Sequence, residues 1–175
     1  MAMALRSAKC YRKIERPNTR VSTRKPRRSY VKGVPALKIH RFETGKTKDK
    51  DSLKKRMYLV VKRPAQIRHN ALEAARIALS KTLAKNVGEE FFLKVLVYPH
   101  HVLRENPLAT GAGADRFQTG MRKSFGRPIS SAAQVKANQR IIEIRIQPVS
   151  EKFGKKALKV AASKISVPCR IEISS

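Results

Sequence analysis

The stretch "LRENPLATGAGADRFQTGMRKSFGRP", Leu103–Pro128, holds Gly111, Gly113, Gly120 and Gly126, half of the eight glycines in the chain. Glycine allows positive φ and lets backbone come close to a ligand, so a phosphate cradle is the first chemistry to test. The dinucleotide fingerprint G-x-G-x-x-G needs glycine where Arg116 stands, and the phosphate-loop pattern G-x-x-x-x-G-K meets Arg116 and then Phe117. Neither motif is present. Ser124 lacks the G-x-S-x-G elbow of a hydrolase nucleophile. Asp115 and Glu105 border the loop with Arg116 and Arg104 beside them, a pattern that predicts local charge pairing. Cys10 and Cys169 show no C-x-x-C and no histidine at ligand spacing, so they read as ordinary thiols. His100 and His101 are neighbours, and neighbours on a strand point to opposite faces; they read as loop or strand-end histidines rather than a metal pair. The expectation is contact chemistry: no enzyme, no cofactor, no metal and no small-molecule substrate.

The contact partner follows from charge. Arg104, Arg116, Arg122, Lys123 and Arg127 flank the small-residue tip, which suits a finger threaded between nucleic-acid backbones; the plainer alternative is a solvated loop. A second stretch, "RKIERPNTRVSTRKPRRSYVKG" (Arg12–Gly33), repeats the theme. From Met1 to Lys32 there are eleven basic residues, Arg6, Lys9, Arg12, Lys13, Arg16, Arg20, Arg24, Lys25, Arg27, Arg28 and Lys32, against one acid, Glu15, so residues 1–32 carry 11 − 1 = +10. Pro17 and Pro26 interrupt any helix there. The segment is predicted to be an extended, solvated arm when free, with charges that become favourable against phosphate.

The whole chain has the same bias: 40 Lys plus Arg against 12 Asp plus Glu, a net charge of +28 in 175 residues. Such a surplus calls for an abundant polyanion. No apolar run approaches the ~18 residues of a spanning helix. The N-terminus has no apolar core followed by a cleavage site, and the basic stretch is too proline-rich for an amphipathic membrane helix. Nucleic acid is therefore preferred over a membrane. The 41% hydrophobic content is enough for a core, and the length suits one domain with an arm: 1–36 the arm, 37–175 the domain, with a functional loop at about 100–126.

The elements that position these segments follow from periodicity. "LKIHRFE" alternates loosely through Leu37, Ile39 and Phe42. "MYLVVK" (Met57–Lys62) and "EFFLKVLVYP" (Glu90–Pro99) read as strands. "HNALEAARIALSKTLAKNVG" reads as a helix with Asn70 as cap and Glu73 completing a capping box. Its buried face is Leu72, Ala75, Leu79 and Leu83, and Gly88 ends it. "RIIEIRI" (Arg140–Ile146) alternates cleanly, and "SAAQVK" before it is expected to pair with it as a hairpin. A second helix starts from Ser150 with Phe153, Ala157, Leu158, Ala161 and Ile165 on one side; Pro168 ends it, and "CRIEIS" is a last strand. Together they predict an α+β fold, a two-layer α/β sandwich of a mixed sheet with two main helices, plus the arm and the long loop.

At this point a resemblance enters. "CYRKIERPNTRVSTRKPRRSYVKGVP", "HNALEAARIALSKTLAKN", "GAGADRFQTGMRKSFGRP" and the closing helix–strand pair resemble the L ten-e branch of the universal L sixteen family of large-subunit ribosomal proteins, in its archaeal form. The likeness covers essentially the whole chain, and "GADRFQTGMR" is its most specific part. "PISSAAQVKANQ" departs from many relatives, with Ser130, Ser131 and Asn138 where glycine and threonine are common. The resemblance implies a ribosome-bound, cytoplasmic protein on large-subunit rRNA, near the A-site tRNA and the central protuberance, with other ribosomal proteins as neighbours. It implies that a loop of about 102–117, with Arg104, Asn106, Gly111, Gly113, Asp115 and Arg116, is directed toward tRNA and the peptidyl transferase centre. It also implies that Arg12–Lys32 is an rRNA-binding extension.

Two other readings stay open on residues alone. An RNA-modifying enzyme would have only Asp115 or Asp51 to nominate as a base. A nucleic-acid-compacting protein would rest on net charge alone.

Overall fold

Apolar side chains at every second residue of a strand fall on one face, and in five of this chain's strands those faces line up. The computed structural model describes residues 6–19, 31–106, 120–121 and 124–174. Strands β1 (Glu43–Gly45), β4 (Phe91–Val95), β7 (Arg140–Ile146), β2 (Lys55–Val61) and β8 (Cys169–Ser174) form one sheet in that spatial order. Its register aligns Leu93 with Ile144, Ile144 with Met57 and Met57 with Ile173; the next rung aligns Val95, Ile142, Leu59 and Ile171. Strands β3 (Ala65–Arg68), β6 (Arg127–Val135) and β5 (His101–Glu105) form a second sheet, with β6 in the middle. The α+β class with two main helices holds. The sheet material is divided between two sheets, and every pairing among the named strands is antiparallel.

Helices α1 (His69–Val87) and α2 (Glu151–Lys164) pack together and cover the apolar side of the larger sheet. Leu72, Ala75, Leu79 and Leu83 of α1 are buried as the spacing predicts. They share one core with Ile142, Ile144, Met57 and Leu59, and with Ala65, Ile67, Ala133 and Val135 of the smaller sheet. At roughly 1.5–3 kcal/mol for each fully buried large side chain, this shared core joins the two sheets into one unit. Gly88, with φ +70°, closes α1. On α2 the buried row is Gly154, Ala157, Leu158 and Ala161. A Cβ on Gly154 would lie 2.6 Å from Ile146 Cδ1 and 2.9 Å from Met57 Sδ, so the helix rides close to the sheet there.

Several expectations are corrected. Asn70 and Glu73 form no capping box: the N-cap is Arg68, without a side-chain cap bond. Asn70 lies in the first turn, and Glu73 pairs with Arg76 at 2.5 Å. Strand β3 runs straight into α1, which leaves no loop residue to cap it. Ser150 holds the N-cap position of α2, but its side chain makes no cap bond either. Phe153 is 42% exposed, because Gly154 occupies the sheet-facing position next to it. The hairpin of "SAAQVK" with "RIIEIRI" does not form. After the turn at Asn138 (φ +62°), β7 enters the larger sheet, while β6 pairs with β3 and β5, setting Ala133 against Ile67 and Val135 against Ala65. The strand expected over Glu90–Pro99 ends at Val95, and β3 and β5 appear where no strand was expected.

Candidate nucleic-acid interface

The smaller sheet is where the arm and the loop meet. Its core-side residues Ala65, Ile67, Ala133 and Val135 pack under α1, so the residues between them face away. Gln66 and Gln134 sit opposite each other on β3 and β6. Gln66 is 2% exposed, and what buries it is the N-terminal segment. The Gln66 amide N–H donates to the Arg12 carbonyl at 3.1 Å, and its Nε2 donates to the carbonyls of Tyr11 (3.1 Å) and Lys13 (2.6 Å). Gln134 Nε2 donates to the Glu15 carbonyl at 2.9 Å and to Gln66 Oε1 at 3.0 Å. Residues 6–19 are therefore stitched to the domain through their backbone, which corrects the expectation of a solvated arm for this part. The stitching leaves the side chains of Arg12, Lys13 and Arg16 exposed.

Two histidines secure the ends. The Asn18 amide donates to His101 Nδ1 at 2.9 Å, and Thr19 bridges to His101 across the backbone. The Lys38 amide donates to His69 Nδ1 at 2.7 Å. Burial pushes both imidazoles below their usual 6.5; Lys38 and Arg68 add to this at His69, and at His101 Arg104 adds while Glu15 opposes. Both rings are thus neutral acceptors at pH 7. His101 is the buried first residue of β5, and His100 is exposed and packs on Tyr98 at 4.5 Å, so the pair does diverge. Arg20, Arg24, Lys25, Arg27 and Arg28 lie outside the described residues; Lys32 is described and exposed.

The loop's two roots also touch. Residues 101–105, expected as part of the loop, are strand β5, with Val102 and Leu103 buried. The chain leaves the sheet at Asn106 and returns at Gly126. There φ is +80° and a Cβ would lie 2.8 Å from the Glu105 carbonyl carbon, so only glycine fits without a shift. Arg104 lays its guanidinium over the Phe125 ring at 3.5 Å. Glu105 pairs with Arg6 at 3.6 Å, not with Arg104, so that expected local pairing is corrected. Arg127 is exposed at the root. Gly111, Gly113, Asp115, Arg116, Arg122 and Lys123 lie outside the described residues.

Glu43, Asp51, Glu73, Glu143, Glu151 and Glu172 each sit against a lysine or arginine of the chain. Asp51, once nominated as a base, is 79% exposed and bound to Arg145. Cys169 is a free thiol pushed up to about 11 by burial, an unreactive state. Arg12, Lys13, Arg16 and Lys32 of the arm and Arg127 at the loop root are exposed cations without a carboxylate pair among the described residues. Gln66 and Gln134 are the residues that sequence reasoning missed. A glutamine at the centre of each of two short apolar runs, "AQIR" and "AAQV", was the available signal.

Residues 18–172 match the family described as ribosomal protein L16p/L10e. The chain is 46% identical over 171 residues to the large ribosomal subunit protein uL16 of Staphylothermus marinus, covering 97% of this chain and 93% of that relative. It is 45% identical over 170 residues to the uL16 of Thermofilum pendens, with coverages of 97% and 96%. It is 44% identical over 174 residues to that of Saccharolobus solfataricus, with 98% and 93%.

Proposed function

The chain belongs to the L16p/L10e family of ribosomal proteins, and from that premise we propose that its basic arm and its loop are the two elements through which it works on large-subunit rRNA. Family membership makes it a structural constituent of the large ribosomal subunit, of the kind found in archaea, and not an enzyme. Ribosomal RNA and other ribosomal proteins are its partners, and the ribosome is its location.

The finer reading concerns place and orientation. Residues 1–36 form the rRNA-binding arm and 37–175 the sandwich domain. Arg12, Lys13, Arg16 and Lys32, with Arg20, Arg24, Lys25, Arg27 and Arg28 between them, contact phosphates; Arg122, Lys123 and Arg127 do the same at the loop's return. The domain sits near the A-site tRNA beneath the central protuberance. Arg104 and Asn106 start a finger, with Gly111, Gly113, Asp115 and Arg116 toward its tip, that is directed at tRNA and the peptidyl transferase centre.

The observation that supports this most is the backbone stitching of residues 11–18 to Gln66, Gln134 and His101. It holds the chain by its carbonyls and amides and turns the cations outward, which lowers the entropy lost when phosphate is met. Folded RNA then supplies register by shape.

The test is replacement of 106–114 by a short Gly-Ser linker in the full chain. The expected result is co-sedimentation with large subunits in high salt together with impaired peptide synthesis or tRNA accommodation. Recovery of the unaltered protein only in the free fraction would overturn rRNA docking. Unimpaired synthesis with the shortened loop would overturn the role of the finger.

A further inference from the structure

Three stretches far apart in sequence are tied together at one end of the larger sheet. The Lys62 amide donates to the Pro168 carbonyl at 3.0 Å, the Asn138 amide to the Val61 carbonyl at 2.8 Å, and the Val61 amide to the Gln139 carbonyl at 3.1 Å. The Lys136 amide donates to Gln139 Oε1 at 2.8 Å, which closes the turn between β6 and β7. These bonds bring Lys62, Arg63, Lys136, Arg140 and Arg170 to one junction, and all five are exposed. The register sets Val60 between Arg140 on β7 and Arg170 on β8. Neighbouring strands lie about 4.8 Å apart, so the two arginine backbones are roughly 10 Å from each other. Arg140 lies over the Tyr58 ring at 4.1 Å and pairs with Glu172, on the face of the sheet opposite the helices. Lys62, Arg63, Lys136 and Arg170 have no carboxylate partner among the described residues. Like charges gathered in this way repel one another, a cost that an arriving polyanion removes.

We propose that this junction is a third contact with the RNA sugar–phosphate backbone, carried by the folded domain itself rather than by the arm or the loop. The inference rests on the rRNA-binding reading above and adds a site which that reading does not use. A protein partner fits less well, because protein interfaces centre on buried apolar or aromatic anchors. None of the exposed large hydrophobic side chains among the described residues falls within 62–64, 136–140 or 168–170. Phosphates need no such anchor: lysine and arginine side chains spread over several segments meet them singly. The mountings are already ordered. Strand register fixes Arg140 and Arg170, and the bonded turn fixes Lys136, so little backbone entropy is lost on contact. The site also adjoins the arm. Arg63 stands three residues before Gln66 and Lys136 two after Gln134, the pair that holds residues 11–15. An RNA backbone met by the arm can therefore continue past β3 and β6 onto the open face of the larger sheet.

The test is hydroxyl-radical footprinting of large-subunit rRNA with the full chain and three variants. The junction variant carries Lys62→Gln, Arg63→Gln, Lys136→Gln and Arg170→Gln; Arg140 is kept because it packs on Tyr58 and Glu172. The arm variant carries Arg12→Gln, Lys13→Gln and Arg16→Gln. A control removes four exposed lysines of α2, on the other side of the sheet: Lys152→Gln, Lys156→Gln, Lys159→Gln and Lys164→Gln. The junction variant is expected to melt at the wild-type temperature and to lose a group of backbone protections that the arm variant keeps. Its slope of log K against log salt should flatten by ~3. Each single change should flatten the slope by ~0.7–0.9, which reads the same site if the combined variant folds poorly. Full protections or an unaltered slope without the four cations would overturn the inference and leave them in water. Loss of the same protections in the α2 control would overturn it too, since only the diffuse attraction of a +28 chain would then be at work. An unaltered chain that protects no rRNA overturns the rRNA-binding reading itself, whereas one whose protections all depend on the arm loses this inference alone.

Discussion

The amide of Asn18 and the ring of His101 hold each other in one proton state. Asn18 donates to Nδ1 at 2.9 Å, and the Val102 amide donates back to the Asn18 carbonyl at 2.7 Å. Protonating Nδ1 would set one N–H against another. His69 holds the Lys38 amide in the same way at 2.7 Å.

The first prediction follows from those rings. Burial lowers both pKa values below 6.5, so between the folded value and 6.5 the unfolded state binds more protons. Attachment of residues 18 and 38 is therefore strongest above 6.5 and weakens as pH falls through the folded pKa values. NMR titration should place both imidazoles below 6.5, with amide protection at Asn18 and Lys38 declining from pH 7.5 to 5. A ring titrating at or above 6.5 would refute the clamp at that end. His101→Phe should cost ~1–3 kcal/mol by leaving a buried amide unpaired.

Gln66 is the second test. Gln66→Leu keeps the volume and the apolar neighbours but strips acceptors and donors at once, leaving the Tyr11 and Lys13 carbonyls and Gln134 Nε2 without this partner. The expected loss is ~1–3 kcal/mol, read by denaturant unfolding. Faster tryptic cleavage after Arg12 and Lys13 should accompany it. Cleavage at the wild-type rate would show that the arm is held by something other than these bonds.

How much of this could be read from the chain depends on where the information lies. The faces of α1 and β7 are written in local periodicity, so Leu72, Ala75, Leu79 and Leu83 were assigned to the core correctly. The smaller sheet was not legible, because β3 has four residues and its partners lie far along the chain, with Gln66 opposite Gln134. A hairpin between neighbouring strands was the local reading, and a non-local pairing with Ile67 and Ala65 displaced it. The basic character of the interface was plain in composition. Its organisation was not, since the bonds that order the arm use backbone atoms, which are the same at every residue. The capping box failed for a related reason: Asn70 and Glu73 have the spacing, but β3 leaves no loop before His69.

Gly126 supports a third prediction. At φ +80°, with a Cβ that would lie 2.8–2.9 Å from the Glu105 carbonyl group, Gly126→Ala is both strained and obstructed by backbone. The cost should be of order 1–3 kcal/mol, seen as a lowered melting temperature. The displaced return should also break the Arg104–Phe125 stack, seen as a downfield move of the Arg104 side-chain protons that lie over the ring. By contrast Gly154→Ala meets side chains rather than backbone, Ile146 Cδ1, Met57 Sδ and Ile144 Cδ1, which can shift, and it gains helix propensity, so its cost should be smaller. Equal losses from the two substitutions would mean that the loop root is not rigid.

The last prediction separates what holds the arm from what the arm holds. Arg12, Lys13 and Arg16 point outward, while the backbone of their stretch is what binds Gln66 and Gln134. Arg12→Gln, Lys13→Gln and Arg16→Gln together should therefore leave the melting temperature nearly unchanged. If each of the three cations neutralises one phosphate, the slope of log K against log salt for an rRNA fragment should flatten by ~2–3. For the whole chain, ~6–10 phosphate contacts correspond to a ~10³–10⁵ loss of affinity between ~50 and ~200 mM salt. Gln66→Leu should behave in the opposite way, losing stability while keeping its cations and hence most of the salt slope. An unaltered slope in the triple variant would mean that these side chains meet water rather than phosphate. A fall in stability as large as that of Gln66→Leu would mean that side-chain charge, not backbone pairing, fastens the arm to the domain.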